Sequence, residues 1–110
     1  PVKDSSLPYG RDESLTGKPI RVSEMIATID GAKFVERVTV TTPAHVRKAK
    51  RAILECFKTQ LEGKGFGIVE ILSTCPTNWG YTPVEAIKWL EKNMIPYYPL
   101  GNFRRPEEGK

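Results

Sequence analysis

The residues best suited to chemistry lie in the stretch STCPTNWG, at positions 73–80. This stretch follows an apolar β-type run and precedes a new helix that begins at Thr82. In open α/β sheets, ligands and cofactors bind at the carboxyl ends of the strands, so Cys75 stands where a cofactor ligand would stand. Two interpretations are open. Cys75 is either a thiolate ligand to iron or zinc, with further ligands elsewhere, or a small buried thiol, as most lone cysteines are.

The second cysteine, Cys56, falls in the middle of a helical pattern on its apolar side, which is typical of a buried thiol. These are the only two cysteines, and they form neither a CxxC pair nor a disulfide framework. A reducing cytoplasm is therefore the expected compartment.

Three further polar side chains have both a chemical and a structural interpretation. His45, the single histidine, falls in the first turn of a helix, where the dipole disfavours a proton on the ring; this favours a surface histidine near a cap. Glu70 lies within an apolar strand and is either an acid or base, or a carboxylate paired with a lysine or a helix terminus. Arg11, in the loop PYGR, either holds a carboxylate or phosphate or belongs to a plain turn.

Composition and missing motifs exclude several classes of protein. The sequence contains no GxGxxG, P-loop or GxSxG motif, no signal segment, and no apolar run near the ~20 residues that span a bilayer. A net charge of +4 permits nucleic-acid binding without requiring it. One helix carries five cations: Arg47, Lys48, Lys50, Arg51 and Lys58. Without an aromatic stacking platform these indicate a solvated helix face, so neither a nucleic acid nor a membrane is an expected partner.

The pattern predicts an α/β domain over residues 21–100, between an extended loop segment at 1–20 and a tail at 101–110. Its elements follow the order α-β-α-β-α. They are a helix near 22–29, a strand near 34–40, a helix from Thr42 to Gly63, a strand from Phe66 to Leu72 and a helix from Thr82 to Pro96.

The apolar positions predict how these elements pack. The long helix carries a stripe at Val46, Ala49, Ile53, Phe57 and Leu61. The second strand is apolar on both faces, which predicts a buried parallel strand. The last helix has its apolar face at Val84, Ile87, Leu90 and Met94. Two parallel strands joined by a right-handed crossover need further strands beside them, so the chain is interpreted as the C-terminal portion of a larger doubly wound fold.

The sequence resembles the C-terminal end of the β subunit of thiamine-diphosphate-dependent 2-oxoacid:ferredoxin oxidoreductases, of the 2-oxoglutarate or 2-oxoisovalerate (2-ketoisovalerate) type. The loop STCPTNWG and the ending YYPLGNF are its most specific parts. The likeness runs through nearly the whole chain, in SLPYGR (6–11), TGKPIRVSEMIATIDGAKFVERV (16–38), TPAHVRKAKRAILECF (42–57), GFGIVEILSTCPTNWGYTPVEAIKWL (65–90) and IPYYPLGNFR (95–104).

The resemblance implies a mainly parallel, doubly wound thiamine-diphosphate-binding fold. It also implies an iron–sulfur enzyme that converts a 2-oxoacid to an acyl-CoA while reducing ferredoxin. Its cofactors would be thiamine diphosphate, magnesium and a 4Fe–4S cluster, and its partners an α subunit, ferredoxin, CoA and the 2-oxoacid. Cys75 would be the fourth cluster ligand, and Tyr9 and Arg11 would lie near the thiamine site.

The sequence departs from the family in two places, because its GDG magnesium motif and its CPGC pair are both absent here. The isolated chain is therefore expected to be inactive, to hold no cofactor and to form a homo-oligomer. The alternative from another class is a small non-enzymatic α/β interaction module that uses its basic helix.

Overall fold

A computed structural model describes residues 19–74 and 80–106 as a small mixed α/β unit. Its elements are α1 (Val22–Ile26), β1 (Ala32–Thr39), α2 (Pro43–Leu61), β2 (Phe66–Leu72), α3 (Pro83–Trp89) and β3 (Gly101–Arg104). A π-helical segment, Leu90–Met94, continues α3. Among the helices of these residues, none combines the length and the apolar character needed to cross a membrane.

The three strands form one sheet in the order β2-β1-β3. β1 and β2 are parallel, as the sequence predicts, whereas β3 runs antiparallel to β1. The assignment of residues 101–110 to a tail is therefore wrong for Gly101–Arg104, which form β3. Contacts distant in sequence hold this strand: Asn102 donates to the Glu36 carboxylate at 3.0 Å, and Arg104 Nη1 donates to the Ala27 carbonyl at 2.9 Å.

Local capping signals fix where the two main helices begin. Thr42 Oγ1 accepts a hydrogen bond from the His45 N–H at 3.1 Å, and Pro43 occupies the first helical position of α2. Thr82 and Glu85 form a reciprocal capping box at the start of α3. Both helix starts are confirmed, because a cap depends only on residues within one turn.

The core lies between α2 and the sheet. Phe34 and Val38 of β1 pack against the small side chains of Ala49 and Ala52 of α2. Cys56 and Val69 pack around this cluster.

The predicted apolar stripe of α2 is buried only in part. Ala49 of that stripe is buried as predicted, but Phe57 and Leu61 are 61% and 86% exposed, because the buried side of α2 continues through Ala52 and Thr59. In the last helix, Leu90 is fully buried as predicted, but Val84 is exposed.

β2 is less buried than its apolar sequence predicts. Phe66 and Ile71 are 45% and 44% exposed, because β2 is an edge strand among the residues that the structure describes. A parallel strand of this composition is normally covered on both faces and paired on both edges.

We expect the isolated chain to self-associate, because among the residues that the structure describes nothing covers the outer edge of β2 or the exposed apolar flank of α2. Sedimentation velocity should show a weight-average mass that rises with concentration in the micromolar range. Phe57→Asp should reduce this association, whereas Arg51→Asp, at an exposed position elsewhere on α2, should not. A compact monomer of the unaltered chain at all these concentrations would contradict the expectation.

Candidate functional site

The carboxyl ends of the two parallel strands meet at one edge of the sheet. Thr39 and Leu72 are paired in register, and both are buried. Thr39 Oγ1 donates to the Leu72 carbonyl at 3.1 Å, which ties the two strand ends together. Ser73 and Thr74 then lead away from β2 toward Cys75.

The sequence-predicted site residues themselves lie outside the described residues. These are Cys75, in the gap between residues 74 and 80, and Tyr9 and Arg11, which precede residue 19. The described part therefore establishes the end of β2, three residues before Cys75 in the sequence, and the roles of the three side chains stay predictions.

His45 lies at the same edge, at the amino end of α2. Its Nδ1 atom is 2.8 Å from Thr42 Oγ1 and 3.2 Å from Thr41 Oγ1. The ring also lines a cavity of about 190 Å³ beside Lys48 and Leu100. These contacts place the imidazole in the helix cap, in agreement with the structural interpretation of this residue.

A buried arginine, Arg37, is the strongest polar feature of the described residues, and the sequence analysis did not identify it. It occupies the middle of β1, and its side chain is 0% exposed. Nε donates to Glu70 Oε1 at 3.0 Å, while Nη1 and Nη2 donate to the two carboxylate oxygens of Glu24 at 2.9 and 2.6 Å. Nη1 also donates to the Pro99 carbonyl at 3.2 Å.

Two aromatic rings complete the surroundings of this guanidinium group. Its carbon is 5.3 Å from the centroid of Tyr98 and 5.4 Å from that of Phe103, within the range of a cation–π contact. Arg37 thereby joins α1, β1, β2 and the C-terminal segment. We therefore assign it to the framework that positions the sheet rather than to chemistry.

Glu70 is a paired carboxylate, as the structural interpretation of its sequence position expects. Its partners differ from those expected, because Oε1 accepts from Arg37 and from Ser23 Oγ at 2.6 Å rather than from a lysine or a helix terminus. The signal lies in the strand register, which places Arg37 opposite Glu70. A single sequence without a known register could not reveal that pair.

The ion pair between Arg37 and Glu24 shifts the pKa values of both groups. The hydrogen bond from Arg37 lowers the pKa of Glu24, against a smaller opposing effect of burial. Burial disfavours the charged form of Arg37, but the hydrogen bond to Glu24 and the charge of Glu70 outweigh it and raise the pKa of the guanidinium. Both groups are therefore held in their charged forms.

The lowered pKa of Glu24 predicts an acid-sensitive fold. A carboxyl whose pKa is lower in the folded state stabilises it above the ordinary value of 4.5, and this stabilisation is lost as the pH falls through the lowered value. Urea unfolding between pH 7 and pH 3 should show this loss. Glu24→Gln should flatten the pH dependence, and Glu91→Gln, at an exposed position, serves as the control. If the free energy of unfolding fell equally steeply with pH in the unaltered chain and in Glu24→Gln, Glu24 would not be the source of the acid sensitivity.

Cys56 lies against β2 and does not resemble a reactive thiol. Its Sγ atom would be only 2.8 Å from a Cβ placed on Gly67, so sulfur and glycine are in close contact. Burial raises the pKa of the thiol, which disfavours the thiolate. Across residues 19–74 and 80–106, no three histidine, cysteine or acidic side chains are grouped so that they could hold a metal ion.

Comparison with known proteins gives clear relatives. The chain is 38% identical over 99 residues to ketoisovalerate oxidoreductase subunit VorA of Methanothermobacter marburgensis, which covers 90% of this chain and 21% of that subunit. It is 31% identical over 93 residues to 2-oxoglutarate synthase subunit KorB of Archaeoglobus fulgidus, covering 84% of this chain and 30% of that subunit. No protein-family model and no solved structure matches the chain.

These matches show that the chain is related, over most of its length, to subunits of 2-oxoacid oxidoreductases. The resemblance expected from the sequence is thereby confirmed, down to the two types that it names, ketoisovalerate and 2-oxoglutarate. The chain spans 21% of the VorA subunit and 30% of the KorB subunit to which it aligns.

Proposed function

We propose that the chain is part of the thiamine-diphosphate-binding subunit of a 2-oxoacid:ferredoxin oxidoreductase. The observation that carries the proposal is the 38% identity to VorA over 90% of the chain. The parallel arrangement of β1 and β2 supports it, because cofactors bind at the carboxyl ends of such strands. The complete enzyme would oxidise a 2-oxoacid to an acyl-CoA and carbon dioxide and pass the electrons to ferredoxin.

The chain by itself does not provide a complete cofactor site. The sequence contains no GDG magnesium motif, and Cys56 is packed against Gly67, which leaves Cys75 as the only cysteine available as a ligand. A 4Fe–4S cluster takes four cysteines. We therefore assign to this chain one ligand, Cys75, and a place near the thiamine site for Tyr9 and Arg11, with the remaining groups supplied by the rest of the enzyme.

The alternative of a non-enzymatic interaction module rests on the cations of α2. Arg47, Lys48, Lys50, Arg51 and Lys58 are exposed, as a solvated helix face would be. The relatives are oxidoreductase subunits, which favours the enzyme. The branched-chain 2-oxoacid and 2-oxoglutarate are the two substrate candidates, since both types of relative match.

The isolated 110-residue chain should not bind thiamine diphosphate. Magnesium is the main electrostatic partner of the diphosphate, and the motif that would hold it is absent from this sequence. Isothermal titration calorimetry with thiamine diphosphate and magnesium should give no measurable heat of binding with the isolated chain, and magnesium-dependent binding with the complete subunit. Micromolar, magnesium-dependent binding by the isolated chain would contradict the assignment of the magnesium site to the rest of the enzyme.

A further inference from the structure

The largest apolar side chains of α2 include three that point away from the sheet. Leu54 is 70% exposed, and Phe57 and Leu61 are exposed as well. Leu54 lies two residues after the buried Ala52 and two before Cys56, which packs on the core. Two residues of α-helix turn the chain by about 200°, so Leu54 is on the opposite side of the helix from both. α2 therefore has an inner face of small side chains and an outer face that carries large apolar ones.

These exposed residues follow the spacing of a helix-packing seam. Leu54, Phe57 and Leu61 are separated by three and then four residues, the interval at which side chains form a line along one side of a helix. Arg47 and Lys50 occupy the corresponding positions one heptad earlier, and both are exposed. We call these five residues the outer seam. The outer seam is about 21 Å long, from the rise per residue of an α-helix. Its apolar half lines an open, mainly apolar cavity of about 420 Å³.

The amino half of the outer seam is positively charged and has no acidic neighbour along the chain. Residues 37–54 contain no aspartate or glutamate. Within the described part of the chain, the ion pairs formed by α2 all involve residues from Glu55 onward. Arg47 and Lys50 lie one turn apart, and like charges at that spacing destabilise a helix. A negative charge beside them would offset this repulsion.

The direction in which the outer seam faces indicates where its cover comes from. In a layered α/β fold, the sheet covers the inner side of a helix, and neighbouring helices of the same layer contact its flanks. One flank of α2 is marked by Glu55, which pairs with Arg105 at 3.3 Å. The other is marked by Gln60, whose Nε2 donates to the Gly67 carbonyl at 3.4 Å. The outer seam lies between these flanks on the side away from the sheet, so its cover comes from outside this layer.

We propose that the outer seam binds an amphipathic helix of another subunit of the oxidoreductase. The partner helix has apolar side chains opposite Leu54, Phe57 and Leu61, and acidic side chains opposite Arg47 and Lys50. This inference rests on the proposed function, because the partner is taken from the same enzyme; the relatives compared are both named as subunits. The apolar half provides affinity, and the charged half fixes the direction and register of the partner helix.

A second copy of this chain matches the outer seam less well. In an antiparallel pair that brings Leu54 against Phe57 of the copy, Lys50 would lie opposite a leucine, because the cationic half of each helix then meets the apolar half of the other. In a parallel pair, the two cationic halves would lie together and repel each other. Either arrangement satisfies only part of the seam, so a copy binds more weakly than a helix with an apolar and an acidic half.

Site-specific photo-cross-linking in the purified complete enzyme, with all its subunits, tests the proposal. Benzoylphenylalanine replaces Leu54 in one preparation, and in a control preparation it replaces the exposed Lys88 of α3. Mass spectrometry should identify a cross-link from position 54 to a helical segment of a different subunit with acidic side chains near the attachment site. Position 88 should not cross-link to that segment.

Three outcomes of the cross-linking experiment would overturn the proposal. The first is a cross-link from position 54 to the same subunit or to a second copy of it. The second is a cross-link to a segment of another subunit that has no acidic side chains near the attachment site. The third is a yield at position 54 no higher than at position 88.

Charge and apolar variants separate the two halves of the outer seam. In the complete enzyme, Leu54→Asp should raise the dissociation constant of the partner subunit about a hundredfold at any salt concentration. Lys50→Glu should raise it about tenfold at low salt and much less at high salt, because ions screen charges at an interface. Lys88→Glu should leave it unchanged. Sedimentation velocity measures the dissociation constants, and equal values for the unaltered enzyme and for a folded Leu54→Asp enzyme would overturn the proposal.

Further measurements separate these outcomes from misfolding and from failure of the proposed function. Circular dichroism checks that each variant subunit is folded, as expected for changes at exposed positions. Oxidation of 2-oxoacids is assayed separately. An active enzyme without the cross-link from position 54 contradicts only this inference. A cross-linked enzyme that oxidises no 2-oxoacid contradicts only the proposed function.

Discussion

Replacing Arg37 with alanine is expected to lower the free energy of unfolding by up to about 3–5 kcal/mol, the cost of removing one partner from a buried ion pair, since Arg37 is fully buried and its partners Glu24 and Glu70 are 33% and 23% exposed. The carboxylates of Glu24 and Glu70 would lose their cation, and the Pro99 carbonyl would lose a donor. The variant would also lose the contacts of the guanidinium with Tyr98 and Phe103. Because this one side chain joins four segments, we expect α1 and β3 to detach before the β1–β2–α2 core unfolds.

Urea unfolding followed by circular dichroism measures the change in the free energy of unfolding. Two further variants serve as comparisons. Arg47→Ala, at an exposed position, should change the stability by less than about 0.5 kcal/mol. Arg37→Lys keeps the charge but cannot pair with both oxygens of Glu24 while also reaching Glu70, so its cost should be intermediate. A loss below about 1 kcal/mol for Arg37→Ala, within the range of ordinary point mutations, would show that the network contributes little net stability.

The second large effect is expected from Cys75→Ser in the complete enzyme, where it should abolish cluster incorporation and ferredoxin reduction. A serine oxygen is a poor replacement for a thiolate at a cluster iron, and four cysteines are needed to hold it. The proposal places this thiol just beyond the carboxyl end of β2. Iron content and visible absorption of the purified enzyme measure the loss.

Cys56→Ser is the matched control, because it makes the same chemical change elsewhere in the chain. Cys56 lies in the interior of α2 with its sulfur against Gly67, and we expect the cluster of that variant to be intact. Unfolding curves of both variants separate loss of the cluster from loss of the fold. A normal cluster in the Cys75→Ser enzyme would return Cys75 to its other interpretation, a small buried thiol.

The sequence predicted best those features that depend on near neighbours along the chain. The start of α2 was predicted from Thr42 and Pro43, and the start of α3 from Thr82 and Glu85. Both signals act within one helical turn. The second strand was also placed correctly, at Phe66–Leu72, since a glycine-bounded apolar run is a strong local signal.

Features that depend on distant partners were missed. β3 is only four residues long, and hydrogen bonds to segments more than sixty positions away hold it. Arg37 reads as an ordinary polar residue of an alternating strand until the register places it opposite Glu70. No periodicity within one segment contains that information.

The burial of α2 and β2 was overestimated for a different physical reason. An apolar pattern indicates which side chains are to be buried, but it does not indicate which other segment packs against them. Phe57, Leu61 and Ile71 carry the pattern and are nevertheless exposed in this chain. These side chains therefore need cover that the described residues do not supply.

The most direct test of the proposed function is reduction of ferredoxin by the purified complete enzyme that contains this sequence. The assay supplies CoA and either 2-oxoisovalerate or 2-oxoglutarate, with pyruvate as a comparison substrate. The proposal predicts that reduction depends on one of the first two 2-oxoacids, on CoA and on thiamine diphosphate, with the acyl-CoA formed in step. A folded, cofactor-loaded enzyme that reduces no ferredoxin with either of those 2-oxoacids would contradict it.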